Sequence, residues 1–227
     1  MFEVTSVWPL DDKLGRVDLV NCPDDDNTIV DAARVSMDKD HTEYTDEQNA
    51  RLIKYLAKHN HITPFFHPML RFRFKMPIFV ARQWFRHVVG CSRNEVSRRY
   101  VNSEPEFFNK AQWRYKADNV KQGSSEEILT MQDFVDVDGY HLDVVQMATE
   151  AYNFMLERGV CAEQARMVLP QSMYTEFIET GSLAFYARVF DLRIDAHSQK
   201  EIQEYAKALD VLIRPRFPVA WEALTEK

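Results

Sequence analysis

From Phe66 to Met76 the chain alternates: Phe66, Pro68, Leu70, Phe72, Phe74 and Met76 are separated by His67, Met69, Arg71, Arg73 and Lys75. That period of two predicts a half-buried strand. Pro77 ends it and opens a helix, where the missing N–H of proline costs nothing in the first turn. Phe79, Val80, Gln83 and Trp84 give this helix a face that delivers Gln83, Arg86 and His87 to one place. Upstream, Phe2 to Leu10 and Arg16 to Asn21 read as short strands, Thr28 to Met37 as a short helix after an acidic turn, and Asp38 to Tyr44 as a polar loop. Thr45 and Gln48 form a capping box, and Leu52, Tyr55, Leu56 and His59 follow at helical spacing to about Asn60. Downstream, Leu142, Val145, Thr149, Tyr152 and Leu156 make one stripe over His141 to Arg158, with Gly159 as the stop. Ala162 to Leu169 is a short helix closed by Pro170, and MYTEFIETGSL then returns to a β pattern. An apolar segment from Leu183 to Asp195 and helices over His197 to Ile213 and Pro218 to Leu224 complete the chain. Val101 to Gly139 is the least periodic part and reads as an irregular excursion holding one short helix.

A length of 227 residues with 45% hydrophobic content supports a single domain over 1–227 with a substantial core. No basic-then-apolar leader follows Met1 and no run of eighteen apolar residues occurs, so the chain is expected in the cytoplasm with no membrane span. Cys22, Cys91 and Cys161 are odd in number and lack CxxC spacing, which argues for reduced thiols rather than a disulfide framework or a cysteine zinc site.

Charge changes the picture. Between Leu70 and Tyr100 stand Arg71, Arg73, Lys75, Arg82, Arg86, Arg93, Arg98 and Arg99 against Glu95 alone, a segment of +7 in a chain of −7. The remainder therefore carries −14, and general affinity for polymeric nucleic acid is not expected. A basic island of this size either forms a solvated face or holds an anion, and guanidinium forks match phosphate oxygens in pairs. The arginines are interleaved with Trp84, Phe85, His87, Asn94, Ser97 and Tyr100, the mixture of anchors and polar groups that a binding site needs. Two readings follow: a small-molecule nucleotide site, or a non-catalytic nucleotide- or RNA-binding module in which Trp84, Phe85 and Tyr100 stack bases. Neither GxGxxG nor GxxxxGK[ST] is present, which disfavours a Rossmann or P-loop site. His59, His61, His67 and His87 show no HxxxH or HExxH spacing, so no metal site is expected. Cys91 or Ser97 as a nucleophile would need His87 as its base through loop geometry alone.

The run RQWFRH followed by NEVSRRY resembles the signature of the flavin-dependent thymidylate synthase family, Arg-His-Arg, seven residues, Ser. Here Val88 replaces the second arginine and the interval to Ser97 is one residue longer, with Arg93 in the lengthened loop as a replacement charge. AARVS, HITPFFH, ARMVLPQSMYTEF and DLRIDAHSQKEIQEYA are similar to further elements of that family, so the likeness spans about residues 30–100 and 160–210. The resemblance implies an α+β fold, an antiparallel sheet packed with helices, and a homotetramer with active sites shared between subunits. It implies reductive methylation of dUMP to dTMP, with methylenetetrahydrofolate as carbon donor and NADPH reducing FAD. Carried over by position, Arg193 is the catalytic choice beside the uracil. Gln83, Arg86, Glu95, Ser97, Arg98, Arg99 and Arg166 would hold the nucleotide with it, and His61, Thr63, Arg86, His87, Ser182 and Arg188 would face the flavin. Ala184 stands where the family often has arginine, and Arg188 where asparagine is common.

Overall fold

The computed structural model describes residues 5–101, 103–109, 112–117 and 124–226. Its strands are β1 (Thr5–Val7), β2 (Arg16–Asn21), β3 (Met69–Pro77), β4 (Cys91–Glu95), β5 (Arg114–Lys116), β6 (Ser124–Ile128) and β7 (Tyr174–Ser182). β5 and β6 pair with each other, and the other five form one antiparallel sheet in the order β1-β2-β3-β7-β4. Eight helices among the described residues complete the α+β fold: α1 (Asp26–Arg34), α2 (Asp46–Lys58), α3 (Ile78–Trp84), α4 (Met131–Glu157), α5 (Ala162–Ala165), α6 (Leu183–Arg193), α7 (Lys200–Ile213) and α8 (Pro218–Thr225). None is long and apolar enough to cross a membrane.

The alternation in β3 is realised as predicted, because its in-phase residues Leu70, Phe72, Phe74 and Met76 are fully buried. β3 and β7 pair from Met69↔Ser182 to Pro77↔Tyr174, which sets Phe74 against Phe177 with ring centroids 5.1 Å apart. Tyr186 of α6, Tyr205 of α7 and Trp221 of α8 belong to the same apolar cluster. Each such ring contributes roughly 1.5–3 kcal/mol by leaving water. The β7–α6 junction is close-packed at Gly181, where a Cβ would lie 2.5 Å from Phe185 Cδ1.

The out-of-phase residues of β3 face outward and are largely paired. Arg73 forms an ion pair with Glu176, and Lys75 Nζ lies 2.5 Å from Glu106. The basic island is thus dismantled in part by acids that come from distant sequence.

Several expectations need correction. Of the first predicted strand, residues 2–4 lie outside the described residues, and only Thr5–Val7 is strand. Asp38 to Tyr44 is not wholly loop, since Asp40 caps a single 3-10 turn at His41–Glu43. The excursion is more ordered than its composition suggested: it contains the β5–β6 hairpin and the first turns of α4, although residues 102, 110, 111 and 118–123 lie outside the described set. α4 begins at Met131, ten residues before the stripe that announced it, because Thr130 caps it by accepting from the backbone N–H of Asp133 at 3.3 Å. Its early apolar residues face solvent and leave no core stripe to read. The predicted helix from His197 starts only at Lys200, since Asp195 holds residues 195–198 in a turn through the His197 N–H at 2.8 Å. Ala162 to Leu169 divides into α5 and a 3-10 turn at Arg166–Val168. Cys91–Glu95 is strand β4 rather than part of a loop, and its residues CSRNE carry no apolar alternation to announce it.

Candidate active site

α3 turns Val80, Ala81 and Trp84 into the core, which leaves Gln83 half-buried on its other side and carries the chain straight into Arg86 and His87. Arg86 is exposed, whereas His87 is only 8% exposed. The Nε2 of His87 accepts a hydrogen bond from Arg193 Nε at 2.8 Å, and Arg193 Nη2 donates to the Gln83 carbonyl at 3.1 Å. Burial first, and then the guanidiniums of Arg193, Arg188, Arg93 and Arg86, push the imidazole down to about 4. His87 is therefore neutral at physiological pH, with its proton on Nδ1, because Nε2 is the acceptor. Arg193 occupies the last turn of α6, where the helix dipole favours a cation.

The loop after His87 is braced from two sides. Arg188 Nη2 donates to the Val89 carbonyl at 2.6 Å. Arg93, on β4, turns inward and not toward a ligand: its Nε donates to Glu179 Oε2 at 2.7 Å, its Nη2 bonds the same carboxylate, and Nη2 also reaches the His87 carbonyl at 3.2 Å. Trp84 Nε1 donates to the other Glu179 oxygen at 3.2 Å. Glu179 is fully buried, and burial pushes its carboxyl above the ordinary value despite Arg93 beside it. The expectation that Arg93 supplies replacement charge to a binding loop is thereby overturned.

The remaining predicted residues fall into separate clefts. Gln83, Arg86 and Arg193 share a cleft of about 500 Å³ with Arg114, Ser124, His197, Ser198 and Gln199. Gln83 Nε2 donates to Gln199 Oε1 at 2.5 Å, while Arg114 pairs with Glu201 at 3.1 Å. Glu95, Ser97, Arg98 and Arg166 line a second cleft, of about 450 Å³, with Lys75, Glu106, Tyr174 and Glu176. There Glu95 accepts from Thr175 Oγ1 at 2.6 Å, Arg98 donates to the carbonyls of Ser103 and Glu104, and Arg166 donates to the Glu163 carbonyl at 3.3 Å. Arg99 pairs with Glu163 at 3.1 Å. His61 and Thr63 are exposed in a third hollow of about 480 Å³ beside Ala32, Asn60 and His67. Ser182 is 2% exposed, and its hydroxyl accepts the Phe185 N–H at 3.2 Å as the N-cap of α6.

Two rival chemistries fit this geometry poorly. Trp84 is fully buried and Phe85 packs against the core, so two of the three rings assigned to base stacking are not available to a strand. Cys91 donates through Sγ to the His87 carbonyl at 3.6 Å, and burial pushes its thiol up, away from the thiolate that a nucleophile needs. Sequence reading missed Arg114 and Ser124, whose short strands have no clear period, and Ser198 and Gln199, which lie in the turn before α7 where the periodicity predicts helix. Glu179 was detectable: in YTEFIETGS it occupies the same inward phase as Phe177.

A neutral histidine gripped by one arginine, beside clefts walled by further guanidiniums on an α+β frame, is an arrangement suited to an anionic small molecule. Residues 18–219 match the model of the thymidylate synthase complementing protein family, and the chain belongs to that family. It is 41% identical over 220 residues to the flavin-dependent thymidylate synthase of Thermus thermophilus, covering 96% of this chain and 78% of that protein. It is 39% identical over 218 residues to the flavin-dependent thymidylate synthase of Thermosipho africanus, covering 92% and 90%. Among solved structures it is similar to a UMP/dUMP methylase, PolB from Streptomyces cacaoi, bound with 5-Br dUMP, with a TM-score of 0.82 and 28% identity over 92% of this chain and 94% of that one.

Proposed function

We propose that this chain is a flavin-dependent thymidylate synthase that methylates dUMP to dTMP in the cytoplasm, with FAD as cofactor, methylenetetrahydrofolate as carbon donor and NADPH as reductant. The observation that carries this reading is the Arg193–His87 pair: a fixed guanidinium in a cleft with Gln83 and Arg86, held by an imidazole that cannot compete with it for positive charge. Arg193 would stabilise negative charge on the uracil ring, and because His87 already fixes its direction, little reorganisation is needed when that charge develops. Gln83 presents an amide to the base edge. Arg98, Arg99, Arg166 and Ser97 would take the nucleotide phosphate, and Glu95 a hydroxyl or an arginine.

The chain suits a dianionic cofactor. Arg86 and Arg188 are exposed cations near the His87 loop, and His61 and Thr63 offer polar atoms in an open hollow. Held by these residues, FAD would supply hydride transfer between NADPH and the nucleotide. The protein's part is to orient: His87 keeps a neutral ring beside the cofactor, and Arg188 supplies the charge that Val88 and Ala184 do not. Ser182 contributes through α6, whose start it fixes.

Among the described residues the two nucleotide-binding sets line separate clefts of one copy, which supports the homotetramer with shared sites. The apolar side of α4 supports it too: Tyr140, Val144, Met147 and Phe154 share one face and are 76, 56, 70 and 56% exposed. An anaerobic assay of dTMP formation from dUMP, methylenetetrahydrofolate and NADPH, with and without FAD, tests the activity. FAD-dependent turnover is expected; a colourless protein that cannot take up FAD and binds oligonucleotides instead would overturn it.

A further inference from the structure

We propose that Glu179 is a positioning residue for this site: through Arg93 it fixes the carbonyl of His87, and so the ring that Arg193 grips. A carboxylate with no solvent exposure in the middle of β7, on the face that carries Phe177, is expensive to bury and needs a partner. Register supplies one, because β4 sets Arg93 directly opposite Glu179. Arg93 Nη2, which also bonds Glu179, donates to the His87 carbonyl at 3.2 Å, and the guanidinium lies 4.5 Å over the Phe85 ring. Glu179 is closed on its other side by Trp84, the residue that ends α3, so the carboxylate ties both ends of the short passage from Trp84 to His87 to one buried point. His87 is consequently held twice, by its backbone through Arg93 and by its ring through Arg193. For the role of flavin, the inference rests on the activity proposed above; for the geometry of His87 it does not.

The test separates positioning from mere packing. Glu179→Gln removes the charge with little change of shape, and Arg93→Leu with Glu179→Leu removes both charges. Replacing a buried ion pair by apolar residues of similar volume is often neutral or stabilising, so the double variant should melt at or above the wild type. The first readout is the titration of His87 by NMR in the ligand-free protein. The groups facing it are Arg193 and Arg188 from α6, Arg93 from β4 and Arg86 beside it, and in the wild type it titrates near 4. With the carbonyl released, the ring leaves its buried seat and the midpoint should rise toward 6.5 in Glu179→Gln, where Arg93 keeps its charge; in the double variant the lost Arg93 charge adds to the rise, so there only an unchanged midpoint is decisive. The second readout is FAD affinity by absorbance titration, expected to weaken about tenfold in both, the loss of roughly 1.4 kcal/mol of orientation. A folded double variant with wild-type His87 titration overturns the proposal. If Glu179→Gln fails to fold, Glu179→Asp, which keeps both charges and draws the carboxylate back from Arg93, takes its place with the same expected rise. A His87 midpoint that rises while FAD affinity stays unchanged upholds the positioning role and removes His87 from the proposed flavin site.

Discussion

Two groups of arginines in this molecule do opposite things with similar chemistry. Around His87, Arg93 and Arg193 are half-buried, each fixed by two acceptors on elements of the core. At the far end of β4, Arg99 and Arg166 are exposed, and Arg98 and Arg166 are held mainly by backbone carbonyls. The buried group has its geometry before any ligand arrives; the outer group can still change partners. A guanidinium that must stabilise charge during a reaction benefits from being fixed, whereas one that grips a phosphate can close upon it. Local surroundings, not residue type, set these two groups of arginines apart.

That division can be tested from the strongest effect downward. Arg193→Ala should lower kcat about 10²–10³-fold, the magnitude typical of losing one preorganised charge stabiliser, with a modest fall in melting temperature because His87 Nε2 loses its donor. Arg166→Ala should act on the other term, raising KM for dUMP about tenfold or more through a lost charge-assisted bond, with a smaller change in kcat. Mixing these two variants sharpens the contrast further: if sites are shared between copies, hybrids recover part of the activity that neither variant has alone, and no recovery places both residues in one subunit's site.

A third expectation concerns pH. The folded protein holds His87 near 4, whereas in the unfolded chain it titrates near 6.5, so as pH falls from 6.5 toward 4 the unfolded state takes up a proton that the native state does not. Stability supplied by this residue is therefore present above 6.5 and lost on acidification, by roughly 3 kcal/mol at most. Urea midpoints measured across that window should fall in the wild type and flatten in His87→Gln. The smallest effect is expected for Cys91→Ser, with activity within about threefold of wild type; a total loss would revive thiol chemistry, which typically fails completely without its nucleophile.

Much of the frame was legible because it follows period and punctuation. β3 announced itself by alternation and Pro77 by chemistry, and Thr45, Gln48 and Gly159 marked the helix ends that the structure shows. The family likeness located Gln83, His87 and Arg193, which the fold does bring together. What the sequence hid was partnership. Arg73, Lys75, Arg93 and Arg99 look like one cationic run, yet each meets an acid between 31 and 103 residues away. Pairing over such distances depends on strand register and has no local signature. β5 and β6 were hidden for a related reason: their short, mostly polar runs acquire meaning only from facing each other.

Gly181 has a consequence for how this catalyst can drift or be redesigned. The first side-chain atom added there would meet the Phe185 ring at 2.5 Å and the Tyr186 ring at 3.2 Å, so these buried rings must repack or push the rod that begins at Ser182 outward. Arg188 and Arg193 ride on that rod. A change of a single methyl, far from any reactant, would thus retune the spacing of both cations together, and mutational libraries that spare the arginines but vary this position should still find inactive clones.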